Sequence, residues 1–221
     1  TYLTEDRPNR LYRNNAGLLT ASAVWSSAET DDDTRSLAWG DYDGDGDLDL
    51  AVGNKGQPNR IYRNDGGVLT TVAVWQSVEA DPTYSLAWGD YDGDGKLDLA
   101  VGNGCLSDAP YTCYPNRLYR NVTVGITPTF TLVWSSAETD PTLSVAWGDY
   151  DGDRRLDLAV GNACLPNTPY TCYPNRLYRN VGGATRLSLV WSSAEADNTQ
   201  DVKWGDYDGD GNHSLPPSQV C

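Results

Sequence analysis

The stretch WGDYDGDGDLDLAVGN at residues 39–54 places an acidic segment directly before an apolar one. It returns as WGDYDGDGKLDLAVGN at residues 88–103 and as WGDYDGDRRLDLAVGN at residues 147–162. A fourth copy at residues 204–219 begins in the same way but continues as NHSLPPSQ. The first aspartates of the four copies, Asp41, Asp90, Asp149 and Asp206, lie 49, 59 and 57 residues apart. An internal period of this length predicts an array of repeated units.

Two further segments recur with the same period, and all of them have the pattern of short strands. PNRLYRN or PNRIYRN occurs at residues 8–14, 58–64, 115–121 and 174–180, and VWSSAE or VWQSVE occurs at residues 24–29, 74–79, 133–138 and 190–195. In LDLAVGN the large side chains alternate with small or acidic ones, which is the period of a β-strand. Each unit therefore predicts four strands: a (SLAWG), b (LDLAVGN), c (NRLYRN) and d (the run ending in VW).

Four-stranded units repeated at this spacing predict an all-β fold, namely a β-propeller of four-stranded antiparallel blades. The chain contains about four repeats, and an incomplete ring is one of the forms that we expect. The predicted propeller covers residues 1–212, with strand a starting near residues 36, 85, 144 and 201. Residues 213–221 depart from the repeat, so we expect the last copy to lack strand b. There are eight tryptophans, two in each unit. We expect their side chains to pack in the core between blades, and a platform for a ligand is the alternative.

The acidic segment has the spacing of a calcium-binding loop. Its aspartates occupy positions 1, 3, 5 and 9, a backbone carbonyl is available at position 7, and glycines at positions 4 and 6 allow the chain to curl around an ion. An EF-hand would require a glutamate at position 12 and flanking helices, whereas Val52 stands there in a predicted strand. Mg²⁺ demands stricter octahedral geometry, and a solvated acidic turn is the alternative without an ion.

The repeat predicts about three well-formed Ca²⁺ sites and a doubtful fourth. The predicted ligands of the first site are Asp41, Asp43, Asp45, the carbonyl of Asp47, and Asp49. Those of the second site are Asp90, Asp92, Asp94, the carbonyl of Lys96, and Asp98. Those of the third site are Asp149, Asp151, Asp153, the carbonyl of Arg155, and Asp157. We expect the third site to be strained, because Arg154 replaces the position-6 glycine. The fourth retains Asp206, Asp208 and Asp210 but has Ser214 at position 9.

The charge balance excludes several classes of partner. The chain has 31 acidic and 16 basic residues, for a net charge of −15, which opposes binding to nucleic acids and to anionic membranes. No apolar run is long enough to insert into a bilayer. Catalysis is disfavoured, because His213 is the only histidine and a fourfold-repeated acid cluster is unlike an asymmetric active site. The chain has no methionine, so its start is interpreted as that of a mature or excerpted segment.

Four of the five cysteines occur in two copies of the frame CLxxxPYTC. This predicts the local disulfides Cys105–Cys113 and Cys164–Cys172, and hence an extracellular or cell-surface location. Zinc is the alternative, but two cysteines without a nearby histidine make a poor zinc site. Cys221 is left without an assigned partner. Asn121 and Asn212 begin glycosylation sequons.

The repeated GDYDGDGDLDLAVGN resembles the FG-GAP/VCBS repeat family, the blade unit of integrin α-chain propellers and of many secreted bacterial proteins. The similarity extends over about residues 8–212, although AWGD and AVGN replace the words FG and GAP. The resemblance implies calcium in the a–b hairpins, a structural role for the ion and an extracellular location. It does not identify a ligand.

Antiparallel connectivity places the a–b and c–d loops on one rim and the b–c and d–a loops on the other. We expect a protein or glycan ligand on the second rim, because it carries the cysteine inserts. Its candidate contact residues are Tyr111, Tyr114, Tyr170 and Tyr173, for which packing within the insert is the alternative. The predicted function is a calcium-stabilised adhesion, recognition or self-assembly module, and a lectin is the alternative. The incomplete terminal units leave three alternatives open. The chain closes into a ring, it forms a homo-oligomer or fibre through these units, or it is an excerpt of a longer propeller.

Overall fold

The computed structural model describes residues 8–106, 110–166, 169–183, 186–206 and 217–219, and its regular secondary structure over these residues consists of β-strands. Among them no helix has the length and apolarity that a membrane span requires. Three four-stranded antiparallel sheets follow one another along the chain. The predicted all-β class and the four-stranded units are thereby confirmed, while closure of the sheets into a propeller ring stays a prediction.

The strands are numbered in chain order. Two short pairs come first: β1 (Arg10–Leu11) with β4 (Trp25–Ser26), and β2 (Asn14–Asn15) with β3 (Leu18–Leu19). The first sheet contains β5 (Thr34–Gly40), β6 (Asp49–Asn54), β7 (Arg60–Tyr62) and β10 (Trp75–Gln76), and β8 (Asn64–Asp65) pairs with β9 (Val68–Leu69). The second sheet contains β11 (Thr83–Gly89), β12 (Asp98–Asn103), β13 (Arg117–Asn121) and β14 (Phe130–Ser135). The third contains β15 (Thr142–Gly148), β16 (Asp157–Asn162), β19 (Arg176–Gly182) and β20 (Arg186–Ser192), and β17 (Cys164–Leu165) pairs with β18 (Thr171–Cys172). The last pair is β21 (Thr199–Val202) with β22 (Pro217–Gln219).

Each complete sheet has the predicted order a, b, c, d, and its strand b is buried along its whole length. Both faces of strand b are therefore buried. The alternation in LDLAVGN places large side chains on one face and small ones on the other, rather than separating a buried face from an exposed one. The a–b register is the same in all three sheets, with the last glycine of strand a opposite the first aspartate of strand b. This register sets the length of the acidic loop between them.

Consecutive sheets stack by placing a tryptophan of one strand a against a glycine of the preceding strand a. A Cβ added at Gly40 would lie 2.6 Å from the Trp88 ring, and one added at Gly89 would lie 2.7 Å from the Trp147 ring. Trp204 meets Gly148 in the same way. The indole nitrogens also donate hydrogen bonds across the gap, from Trp88 to Ala38, from Trp147 to Ala87 and from Trp204 to Ala146, each at 3.2 Å. Only glycine permits this approach.

A second contact joins strand d of one unit to strand c of the next. The ring of Trp75 packs edge-on against Tyr119 at 5.5 Å, and the Tyr119 hydroxyl donates to Glu79 at 2.7 Å. The same arrangement recurs as Trp25, Tyr62 and Glu29, and as Trp134, Tyr178 and Glu138. The three tyrosines are buried. Part of the acidity of the d–a loops is therefore used to satisfy buried hydroxyl groups.

The d–a loops also contribute a repeated ion pair. Asp81 accepts from Arg117 Nε at 2.5 Å and from Asn103 Nδ2 at 3.3 Å, and both charged side chains are at least 85% buried. Asp32 with Arg60 and Asp140 with Arg176 repeat the ion pair. The first arginine of NRLYRN is thus a structural residue that holds the loop before strand a against strand c.

The two ends of the stack differ from the sequence-based expectation. Trp39 and Trp191 are 44% and 47% exposed, so they are not inter-blade core within this chain, because each lacks the neighbouring sheet that covers its equivalents. The expected loss of the fourth strand b is also corrected. β22 pairs with β21, and Thr199 stands opposite Gln219 just as Thr34 stands opposite Asn54. Antiparallel pairing uses backbone groups, so a sequence unlike LDLAVGN can occupy this position.

Candidate metal centres

Each acidic loop folds around the side chain of its first aspartate. Asp41 Oδ1 accepts from the backbone amides of Gly44 and Asp45 at 2.8 and 3.1 Å, and Asp41 Oδ2 accepts from Gly46 at 3.0 Å. Asp90 and Asp149 make the same three bonds in the second and third loops. These hydrogen bonds hold the loop backbone in a curled form around that carboxylate.

Among the residues that the structure describes, three groups of carboxylates are close enough to share a cation. Within each group, one oxygen of every residue lies within 4.8 Å of the others. The groups are Asp41, Asp43 and Asp45; Asp90, Asp92 and Asp94; and Asp149, Asp151 and Asp157. In the fourth loop Asp206 is exposed, whereas Asp208, Asp210 and Ser214 lie outside the described residues, as do Asn212, His213 and Cys221.

The aspartate at position 9 of each loop is fully buried. Asp98 Oδ1 accepts from the Asn121 amide at 2.8 Å and Asp98 Oδ2 accepts from the Tyr91 amide at 3.1 Å. Burial raises the pKa of Asp98 to about 7 and that of Asp49 to about 6, and it also raises the pKa of Asp157. A cation near these carboxylates would oppose the cost of their desolvation.

Asparagine side chains connect neighbouring loops through the position-9 aspartates. Asn121, whose amide binds Asp98, donates from Nδ2 to the Tyr42 carbonyl at 2.8 Å, and the Tyr42 amide donates to Asp49 at 3.1 Å. Asn180 makes the equivalent bonds to Asp157 and to the Tyr91 carbonyl. Because Asn121 is fully buried, a glycan on its Nδ2 would require the bond to Tyr42 to be broken. The sequence alone indicated only a sequon at this position.

The second arginine of NRLYRN is a site residue that the sequence analysis missed. Arg120 forms ion pairs with Asp92 at 2.6 Å and with Asp94 at 3.0 Å, and Arg179 pairs likewise with Asp151 and Asp153 in the third loop. Asp153 additionally pairs with Arg155. This explains why Asp153 is held away from the third carboxylate group. The number of residues between the acidic loop and NRLYRN depends on whether a cysteine insert is present. No local sequence pattern therefore revealed the contact.

In the first loop Arg63 forms its ion pair with Asp65, at 2.9 Å, rather than with the loop carboxylates, although its charge partly opposes the rise in the pKa of Asp43. Asp43 Oδ1 is buried and has no hydrogen-bond partner among the residues that the structure describes. Burial, together with the neighbouring charges of Asp45 and Asp41, raises the pKa of Asp43. A buried carboxylate oxygen without a donor is the kind of group that a cation would satisfy, so the residues of this loop fit a metal ion.

The position-7 residues also make contacts through their side chains. Asp47 Oδ2 accepts from the Gly66 amide at 2.8 Å, and Lys96 Nζ donates to the Thr123 carbonyl at 2.6 Å. Both partners belong to c–d connections, so a–b and c–d loops lie on one rim as expected. The use of the backbone carbonyls of Asp47, Lys96 and Arg155 as ligands stays a prediction.

The structure contains the two predicted disulfides, Cys105–Cys113 and Cys164–Cys172. The second insert contacts a d–a loop, because the Cys164 amide donates to Asn198 at 3.3 Å. Of the four tyrosines proposed as ligand contacts on this rim, Tyr170 is 61% exposed, and the other three are half-buried: Tyr111, Tyr114 and Tyr173.

Arg154 has a backbone φ of 67°, whereas the equivalent Gly46 and Gly95 have φ of 94° and 84°. A side chain is disfavoured in this left-handed region, so we expect Arg154→Gly to raise the free energy of unfolding by about 0.5–1 kcal/mol. Urea denaturation of the calcium-free protein would measure the gain. Gly46→Ala should produce a loss of similar size in the first loop. If Arg154→Gly were as stable as the original chain or less stable, the backbone at Arg154 would not be strained.

Comparison with models of protein families gives two overlapping matches to the FG-GAP-like repeat, at residues 2–52 and 41–101. Both matches include the first acidic loop, and the second also includes the loop at residues 90–97. A search of curated proteins gives no match.

Proposed function

We propose that this chain, whose residues 2–101 match the FG-GAP-like repeat, is a calcium-stabilised β-repeat module with a role in adhesion, recognition or assembly outside the cell. The observation that carries the proposal is the occurrence of three carboxylate groups on three stacked hairpins whose loops share the same backbone hydrogen bonds to the first aspartate. The loop after β15 has the same backbone hydrogen bonds as the two loops in the matched region, so the proposal extends to it.

Calcium is the cation best suited to these loops, because Ca²⁺ accepts six to eight hard oxygen ligands in flexible geometry. Asp41, Asp43 and Asp45 would hold it in the first loop, with Asp49 behind them. When bound, the ion supplies positive charge that offsets the repulsion among these carboxylates. We propose that the first loop binds calcium most tightly, because Arg120 and Arg179 already neutralise part of the charge in the other two.

We also propose that the chain is not an enzyme. A carboxylate whose pKa is raised to about 7 is often a catalytic acid or base, and Asp98 meets that criterion. However, Asp98 is fully buried, and both of its oxygens accept backbone hydrogen bonds. Its raised pKa follows from its structural position, and a substrate has no access to it.

The two disulfides indicate an oxidising compartment, and from them we propose an extracellular or cell-surface location. The proposed ligand surface is the rim of the b–c and d–a loops. A lectin is the second candidate, favoured by the exposure of Tyr170, since exposed aromatic rings stack on sugars. A glycan array read with and without EDTA tests it. The absence of signal from the folded, calcium-loaded protein would count against a lectin.

Calcium titration tests the main proposal. We expect isothermal titration calorimetry to detect about three sites and the melting temperature to fall when EDTA removes the ion. At a hundredfold excess over the dissociation constant, one site would stabilise the fold by about 2.7 kcal/mol. The expected order of affinity is tested by the isosteric Asp43→Asn, which should abolish the tightest site.

The matched control is Asp33→Asn, because Asp33 is an exposed carboxylate in a d–a loop, away from the acidic loops, and pairs with Arg35. It should leave calcium binding unchanged. In EDTA we expect Asp43→Asn to be at least as stable as the original chain, because it relieves the crowding of charge. Calcium that produces neither heat nor a shift in melting temperature would disprove the proposal.

A further inference from the structure

A cleft of about 430 Å³ opens between the first and second sheets, on the rim of the a–b and c–d loops. Its lining comes from three segments that are remote in sequence: residues 41–44 of the first acidic loop, residues 95–96 of the second, and residues 123–125 of the connection between β13 and β14. A Cβ added at Gly44, Gly95 or Gly125 would have nothing within 4 Å, so the backbone there leaves room for a ligand. The volume lies within the range of small-ligand sites.

The cleft occurs where the second unit departs from the repeat. Residues 122–129 connect β13 to β14, whereas residues 183–185 connect the equivalent strands β19 and β20. Position 7 of the acidic loop differs as well, since it is Asp47 in the first loop, Lys96 in the second and Arg155 in the third. Features that all units share maintain the common fold. A feature that one unit has alone is not required by that fold and is a candidate for a separate role.

Lys96 places a positive charge in the cleft. It is half-buried, and its Nζ donates to the Thr123 carbonyl at 2.6 Å. An ammonium group has three N–H donors, so two remain for a ligand. Within the described part of the chain Lys96 forms no ion pair, in contrast to Arg155, which pairs with Asp153 at 2.6 Å. The counter-ion of Lys96 is therefore available as a role for a ligand.

The first acidic loop lines the same cleft through Asp41 and Asp43. Calcium held there, as proposed above, would add a second positive charge beside the cleft. Ca²⁺ takes six to eight oxygen ligands, and one oxygen from each of the five predicted residues of this loop would leave at least one position open to a ligand. A carboxylate fits both groups, because one oxygen would bind the ion while the other accepts from Lys96.

Val124 gives the cleft an apolar border. It is 86% exposed, and Ile126 on the same connection is 76% exposed. Exposed apolar side chains beside a charged cleft favour a ligand that has an apolar group next to its carboxylate. A peptide offers such a neighbour, whereas the neighbours of the carboxylate in a sugar acid are hydroxyl groups.

We infer that the cleft binds an acidic peptide. The carboxylate of an aspartate or glutamate lies between the calcium ion of the first loop and Lys96, and an adjacent apolar residue packs against Val124. This site is on the opposite rim from the ligand surface proposed above. The inference deepens the recognition part of the proposed function and rests on calcium binding by the first loop.

NMR spectroscopy of the full, isotope-labelled chain tests the site, with a capped aspartyl-valine dipeptide as the probe. In calcium we expect saturable shifts of the amide signals of Gly95, Lys96 and Gly125. The asparaginyl-valine dipeptide lacks the charge and should bind roughly tenfold more weakly, as expected for the loss of a charge-assisted hydrogen bond. In EDTA the aspartyl-valine dipeptide should not bind, because the carboxylates of the first loop would repel it.

Two pairs of variants assign the contacts. Lys96→Met removes the ammonium group and should weaken binding of the aspartyl-valine dipeptide roughly tenfold. Its control is Lys203→Met, at an exposed lysine that pairs with Asp201 outside the cleft, and this variant should bind normally. Val124→Glu adds a negative charge at the border and should prevent binding, whereas Val78→Glu, at a valine 95% exposed outside the cleft, should have no effect. The melting temperatures should stay close to that of the original chain, since none of the four side chains is fully buried.

Several results would overturn the inference: equal affinity for the two dipeptides, normal binding by Lys96→Met, or binding that persists in EDTA. Binding of methyl glucuronide without binding of the dipeptide would also overturn it, because the partner would then be an acidic sugar. Calorimetric titration with calcium separates this inference from the proposed function. Calcium binding without dipeptide binding defeats the inference alone, whereas the absence of calcium binding defeats both.

Discussion

Replacement of Trp88 by alanine is expected to lower the free energy of unfolding by about 3 kcal/mol, one of the two largest effects that we predict. The Trp88 ring lies against Gly40, its nitrogen donates to Ala38 at 3.2 Å, and its centroid is 5.8 Å from that of Phe130. Alanine would leave a cavity between two sheets and an unpaired carbonyl group. Chemical denaturation at low protein concentration would measure the loss.

Trp39→Ala is the matched control, because it is the same substitution at the same position of the preceding unit. Trp39 is 44% exposed and has no sheet in front of it within the chain. We expect it to cost less than about 1 kcal/mol, as is usual for a surface substitution. Equal losses for the two variants would mean that the sheets are not held together by the tryptophan–glycine contact.

Asp81→Ala is expected to have a comparable effect, a loss of about 3 kcal/mol, because it removes the nearer counter-ion of the buried Arg117 and leaves only Glu79, 3.9 Å away. Arg117 Nε lies 2.5 Å from Asp81, and the two side chains are 15% and 10% exposed. The substitution also removes one of the two acceptors of Asn103 Nδ2, which keeps its bond to the Pro115 carbonyl. Thermal and urea denaturation would measure the loss at neutral pH.

The control is Asp33→Ala, which breaks an ion pair of similar geometry at the surface. Asp33 and Arg35 lie 2.8 Å apart and are 45% and 44% exposed, so the pair should contribute less than about 1 kcal/mol. High salt should remove most of the small effect of Asp33→Ala and little of the effect of Asp81→Ala. Similar losses in the two variants would contradict a structural role for the buried pair.

Much of the sheet architecture could be predicted from sequence because it depends on short segments that repeat. LDLAVGN and the acidic loop before it are local, and every copy supports the same strand and the same turn. The contacts that were missed join residues that are remote in sequence. Arg120 reaches Asp94 across 26 positions, and its approach depends on the register of two strands. β22 could not be foreseen, because Pro217–Gln219 shares no side-chain pattern with the strand whose place it takes. Likewise, Trp39 and Trp88 have identical local sequences. Trp88 is partly buried and Trp39 is exposed because a preceding sheet covers only Trp88.

The asparagine bridges predict that the three loops would not bind Ca²⁺ independently of one another. The bonds run without a break from Asp157 through Asn180 and Tyr91 to Asp98, and then through Asn121 and Tyr42 to Asp49. Order imposed on one loop lowers the entropic cost of ordering the next, and thermodynamic linkage makes this advantage mutual. We therefore expect positive cooperativity in calcium binding, with a Hill coefficient above one that falls when Asn121 is replaced. The loops would then behave as a nearest-neighbour chain. Loss of a bound ion from the loop at one end would make every other loop less ordered.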